Sequence, residues 1–226
     1  MKRPPSFSAA VPRSFKTPDA LTMSSSPQSL PHSISRVCVF CGSSFGREEE
    51  YRQAAAALGR ELVARGWGLV YGGGSVGLMG AVADAVLLAG GEVTGVIPEM
   101  LATKELLHTG VTRMHVVPNM HDRKAMMAES SQAFVALPGG YGTFEELLEI
   151  ITWAQLGIHR KPIGLLNVRG FYDPLVAMFD HAIAEGFIKP EQRRLIVISE
   201  NPCQLLDQLV VQEIPAVRKW LRPEEA

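Results

Sequence analysis

The sequence predicts an α/β protein: a Rossmann-like, doubly wound, mostly parallel sheet with helices on both faces. Three observations lead there. Short β-rich runs alternate with longer stretches of helical periodicity. The short runs are nearly continuous in apolar residues rather than alternating, as parallel strands covered on both faces are. Glycine clusters follow three of them, where open parallel sheets place their ligand-binding loops.

The elements fall in order from Arg36. Strands are expected at 36–42 (RVCVFCG), 67–71 (WGLVY), 92–97 (EVTGVI), 133–137 (AFVAL), 162–168 (PIGLLNV) and 195–199 (LIVIS), with a shorter run at 114–117 (MHVV). Helices are expected at 48–65, 77–89, 121–130, 143–156, 173–185 and 201–211. Asp173 before Pro174 reads as an N-cap followed by proline at the first helical position. Residues 36–226 are thus expected to form a single α/β domain. Residues 1–35 differ: they hold nine serines, six of the fifteen prolines, four basic residues and one acid. Such a segment cannot bury enough apolar surface to offset its ordering entropy, and disorder is expected.

Bulk properties narrow the functions. The net charge of −1 gives no electrostatic case for nucleic acid or an anionic membrane as partner. No apolar run approaches the roughly 20 residues that span a bilayer. Cys38 and Cys41 make a C-x2-C, but three positions along a strand they face opposite ways, and no second pair completes a metal site. They read as packing residues, and a cytoplasmic setting is expected.

The three glycine-rich strand ends are CGSS (41–44), YGGGSVGLMG (71–80) and LPGGYGTFEE (137–146). Each leads towards a helix, whose N-terminus carries unpaired N–H donors and about half a positive charge, which suits phosphate. Any single cluster could equally be a tight turn; three at equivalent positions argue for one crevice. Ser43, Gly73, Gly74, Gly139, Gly140, Gly142 and Thr143 are therefore candidate binding residues. The 71–80 loop lacks a suitably placed acid for the dinucleotide fingerprint, since Glu92 begins the next strand. No Walker lysine follows any loop.

Charge surrounds the third loop. Arg123 and Lys124 precede its strand; side by side on a helix, they point about 100° apart. They are either a solvated basic pair or groups aimed into the crevice. Glu145, Glu146, Glu149 and Thr152 share a broad helical face after the loop. Acids in a first helical turn also favour the helix dipole, whereas a buried cluster would have raised pKa values and could act as acid or base. Phosphate on the 139–143 amides, ribose hydroxyls against carboxylate, and a carboxylate near the anomeric carbon suit hydrolysis of the N-glycosidic bond of a nucleoside monophosphate. Met100, Met120 and Trp153 either accept an apolar substituent on the base or are ordinary core or interface residues.

PGGYGTFEE, preceded by MHDRK (120–124), resembles the signature of the LOG (Lonely Guy) family of cytokinin riboside 5′-monophosphate phosphoribohydrolases, formerly labelled possible lysine decarboxylases. The resemblance continues through YGGGSVGLMG, GVIPEML, ITWAQLGIHRKPIGLLN and FYDPL, over roughly residues 36 to 200. It implies release of an adenine-type base and ribose 5-phosphate without a cofactor or metal. The family's essential arginine and glutamate fall on Arg123 and Glu146. Lys124, Gly139, Gly140, Gly142, Thr143 and Glu145 match its nucleotide-binding positions, with Glu105 and Thr152 further matches. Lys104 stands where many relatives carry arginine, losing a fork of donors. A homodimer is implied. Decarboxylation through pyridoxal phosphate would need a Schiff-base lysine in the pocket, and only Lys124 lies near the crevice. A non-catalytic nucleotide sensor on the same fold, or a general purine nucleosidase acting on AMP, IMP or GMP, are the alternative functions.

Overall fold

The computed structural model describes residues 32–103 and 106–215. All seven expected strands form: β1 (Arg36–Phe40), β2 (Gly68–Tyr71), β3 (Val93–Pro98), β4 (Arg113–Val117), β5 (Ala133–Ala136), β6 (Ile163–Leu166) and β7 (Ile196–Ser199). So do the six helices: α1 (Glu49–Ala64), α2 (Gly77–Leu88), α3 (Met120–Glu129), α4 (Tyr141–Leu156), α5 (Asp173–Ala184) and α6 (Pro202–Val211). The strands make one sheet in the order β4-β3-β2-β1-β5-β6-β7. Every pair is parallel. The sequence predicted a mostly parallel sheet.

Strand pleating sorts the core into two layers. Val37, Val39 and Cys41 face one way with Leu69, Tyr71 and Val135, against Leu58 and Leu62 of α1, Val82 of α2 and Leu205 of α6. Cys38 and Phe40 face the other way with Phe134 and Leu165, against Met127 of α3 and Leu147 and Ile150 of α4. The two cysteines of the C-x2-C therefore lie in different layers, as packing residues would. A central strand buried on both faces must read as continuously apolar, which is why these strands were visible in the sequence.

Two boundaries moved. Asp173 does not cap α5: Tyr172 holds that position, and the Asp173 carboxylate instead accepts from Asn167 Nδ2 at 2.7 Å. At the other end, residues 32–35 already belong to the folded body. His32 N–H donates to Val210 O at 2.8 Å, and Ile34 is buried in the core. Of the segment expected to be disordered, residues 1–31 lie outside the described residues.

β1 pairs with β2 on one side and β5 on the other. The chain winds outward from β1 through β2, β3 and β4, then returns by α3 to β5 and winds out the other way. Loops leaving β1 and β5 must therefore diverge, and a crevice opens between them at this switch point. CGSS and PGGYGT are those two loops.

Candidate active site

The site begins with a helix cap. Asn119 Oδ1 accepts from the N–H groups of His121 and Asp122 at 2.9 and 3.0 Å, fixing where α3 starts. Arg123 and Lys124 consequently leave the first turn in different directions, and they do serve different partners. Arg123 runs into the buried interior. Its Nε donates to Val96 O at 3.2 Å and its Nη1 to Glu146 Oε1 at 2.6 Å. Lys124 Nζ reaches Glu145 and, at 3.0 Å, Glu149. Two adjacent bases on α3 thus grip three acids on the first turns of α4.

The Arg123–Glu146 pair is buried: the residues are 9% and 7% exposed. Burial pushes the Glu146 carboxyl above its ordinary value, against the opposing pull of Arg123 and its hydrogen bond. Glu145 adds a smaller upward push. Burial also disfavours the Lys124 charge, but its two carboxylates outweigh that and raise its pKa.

Around this pair the glycine loops pack on one another. The Gly42 N–H donates to Pro138 O at 3.0 Å and Gly42 O accepts from Leu78 N–H at 3.1 Å, so the β1 loop bridges the other two. Gly77 has a φ of +61°, and a Cβ there would fall 2.3 Å from the Ser43 carbonyl carbon. A Cβ on Gly139 would meet Thr143 Oγ1 at 2.1 Å and the Gly42 nitrogen at 2.8 Å. By contrast, a Cβ on Gly140 or Gly142 would meet nothing within 4 Å. The α4 N-terminus is thus closed beneath by Gly139 and Thr143 and open above at Gly140 and Gly142. No side chain caps that helix start, so its first N–H groups face the opening without a side-chain acceptor.

The remaining sequence-derived candidates are placed differently. Ser43 is exposed on the β1 loop. Gly73 and Gly74 hold a neighbouring segment: Gly73 O accepts from His108 N–H at 3.0 Å and Gly74 forms an isolated bridge with Leu107. Thr152 sits about 16 Å along α4 from Tyr141 at the usual helical rise. It is exposed there, and its hydroxyl donates to Leu148 O. Glu105 and Lys104 lie outside the described residues. Trp153 packs against the α3/α4 core layer, whereas Met100 and Met120 are exposed. Gly72 was not among the candidates. A Cβ there would lie 2.1 Å from Arg123 Nη2, so this glycine makes the room in which the arginine lies. The only trace of this in the sequence was a third glycine in YGGG.

A family model described as "possible lysine decarboxylase" matches residues 79–209. The chain is 58% identical over 174 residues to rice (Oryza sativa subsp. japonica) LOGL2, "probable cytokinin riboside 5′-monophosphate phosphoribohydrolase", covering 77% of this chain and 71% of the relative. Identity to Arabidopsis thaliana LOG7, "cytokinin riboside 5′-monophosphate phosphoribohydrolase", is 57%, covering 77% and 80%. The chain belongs to the LOG family. Among solved structures, a molybdenum cofactor carrier protein from Chlamydomonas reinhardtii superposes with a TM-score of 0.59 at 24% identity, over 77% of this chain and 97% of that one. That likeness shows a shared fold. In this LOG-family chain, the matched stretch includes α3, α4 and the loop before α4, so both members of the buried Arg123–Glu146 pair lie within the family model.

The decarboxylase description can be tested against the side chains. A Schiff-base lysine works uncharged, through burial or a neighbouring cation. Lys124 is held charged by two carboxylates. Lys161 has its pKa lowered by burial, but its ammonium is spent on Ala128 O near the end of α3 and lies over the Phe134 ring. Neither fits pyridoxal phosphate.

Proposed function

We propose that this protein hydrolyses the N-glycosidic bond of an adenine-type nucleoside 5′-monophosphate, a cytokinin riboside monophosphate, releasing the free base and ribose 5-phosphate. The observation that carries the reading is the Arg123–Glu146 pair, buried at the switch point beside an uncapped, glycine-lined helix start. An anion suits that helix start, where unpaired N–H groups and the helix dipole both favour negative charge. Gly140 and Gly142 leave the approach clear of side chains, and Thr143 adds a hydroxyl at the base of the cradle.

With the phosphate held there, the ribose extends towards the carboxylates one turn along α4. As the C1′–N bond lengthens, its electron pair leaves with the base and positive charge develops on the sugar. Ionised Glu146 stabilises that charge in a site where water screens it little. A water oxygen then bonds to C1′, and its protons end on the new hydroxyl and on the released base. Arg123 holds the Glu146 carboxylate in place through a 2.6 Å hydrogen bond. Lys124 and Glu145 form the rim, where ribose hydroxyls and phosphate find partners of either sign.

The test is chromatography of purified protein incubated with AMP and, separately, isopentenyladenosine monophosphate. Free base and ribose 5-phosphate are expected, with the second substrate preferred. Glu146→Gln is expected to bind nucleotide yet lose turnover by about 10²–10⁴-fold, the range of a lost charge stabiliser or acid–base group. Near-normal turnover in that variant would remove Glu146 from the mechanism. No base from either substrate, with nucleotide binding intact, would favour the sensor.

The free thiols of Cys38, Cys41 and Cys203 suit a reducing cytoplasm. Among the described residues, no helix is long and apolar enough to cross a membrane. A homodimer is the proposed assembly.

A further inference from the structure

The turn from Asn167 to Asp173, after β6, plays no part in the site described above, yet it touches both ends of the α4 glycine loop. Its backbone is strained. Arg169, with a φ of 55°, is the one non-glycine residue of positive φ among the described residues, and Gly170 follows at 69°. Side chains hold this conformation. Asn167 Oδ1 accepts from the Tyr172 N–H at 2.7 Å, while its own N–H donates to Ser199 O at 2.9 Å. Arg169 pairs with Glu50 on α1 at 2.8 Å. A Cβ on Gly170 would fall 2.4 Å from Asp173 Oδ2, so the tight turn needs glycine there.

What the turn secures is two aromatic contacts. Tyr172 is fully buried, and its hydroxyl donates to Leu137 O at 2.6 Å, immediately before Pro138. Burial raises its pKa, so the phenol stays protonated and remains a donor. Phe171 meets Tyr172 edge-on at 5.1 Å and stacks on Phe144, with ring centres 6.2 Å apart and planes 18° from parallel. Leu137 and Phe144 bracket the loop. Leu137 N–H is already spent on Phe40 O and Pro138 O on Gly42 N–H. Tyr172 therefore completes the anchoring of the peptide that launches the loop.

We infer that Tyr172 and Phe171 are positioning residues for phosphate recognition: acting from outside the site, they fix the aim of the Gly139–Gly142 amides. The inference rests on the reading that phosphate sits at the α4 N-terminus. An amide cradle holds an anion only if several N–H groups converge at once, so a small rotation of the loop costs binding before it costs chemistry.

The experiment compares wild type, Tyr172→Phe and Phe171→Leu. Calorimetric titration with ribose 5-phosphate is combined with steady-state kinetics on isopentenyladenosine monophosphate. Both variants are expected to raise the ribose 5-phosphate Kd and the KM by about tenfold, with kcat within a factor of about three. Phe171→Leu leaves every hydrogen bond in place and carries the test if loss of the buried hydroxyl unfolds the first variant. Unchanged Kd and KM in a folded variant, or a fall confined to kcat, overturns the inference alone. A wild type that binds no ribose 5-phosphate overturns the functional reading and the inference with it.

Discussion

Arg123 reaches Glu146 only because residue 72 has no side chain. A methyl group there would need the space Nη2 occupies, 2.1 Å away, and the guanidinium has little freedom to move aside. Its Nε is held by Val96 O, and Met79 lines the same side. Gly72→Ala is therefore expected to fold but displace the arginine by an ångström or more. At a site organised by geometry such a displacement costs about 10²-fold in turnover. Circular dichroism and kcat measured on the same preparation check this. A folded Gly72→Ala enzyme with normal kcat would mean that the Arg123–Glu146 contact is not needed for reaction. Sequence alone exposes little of this scale. It marks Arg123 and Glu146 as candidates, but which of two adjacent bases is buried depends on where α3 starts.

That start is set at the scale of the element. Asn119 caps α3 with one side-chain oxygen serving two N–H groups, and its Nδ2 donates to Asp122. Loss of such a cap costs about 1 kcal/mol, which in a chain of this size lowers the melting temperature by roughly 2–4 °C. Asn119→Ala should show that drop, and Asn119→Asp should largely restore it. A variant as stable as wild type would show that α3 is held by packing alone. The elements themselves were legible because each strand is a continuous apolar run and each helix an interrupted one. Less legible were element ends. The sequence placed the start of α4 at Thr143, while the helix begins at Tyr141 and takes Gly142 of the motif into its first turn, with Gly140 at the cap position. Glycine content hid that turn, since glycine weakens a helix in general and is favoured here by the need for an open approach. Likewise Asp173 carries the signature of a cap, but its carboxylate is claimed by Asn167, a partner six residues back that only the folded turn supplies.

At the scale of the whole molecule, α4 has two ends with different tasks. Its N-terminus forms the proposed phosphate cradle. Further along, Leu148 and Leu156 are 40% and 63% exposed, with Thr152 between them at four-residue spacing, and Ile158 just beyond is 65% exposed. Residues spaced by four share one face of a helix, so an apolar row runs along the outside of a helix whose other face is core. Contiguous apolar surface of this kind is what protein–protein contacts use. Self-association is the simplest cover, because a two-fold axis brings the same row from a second copy against it. The expected mass in solution is accordingly about twice the 24.6 kDa of one chain. Light scattering behind a sizing column, at micromolar protein, measures it directly. Leu156→Glu places a charge within the proposed contact, where burial without a partner is costly, and should shift the mass towards one chain. It touches neither the glycine loop nor the Arg123–Glu146 pair, so any loss of turnover that accompanies dissociation would report the contribution of the second copy to the site. A wild type that elutes as a single chain, or a Leu156→Glu variant that remains double, would assign this row to another role.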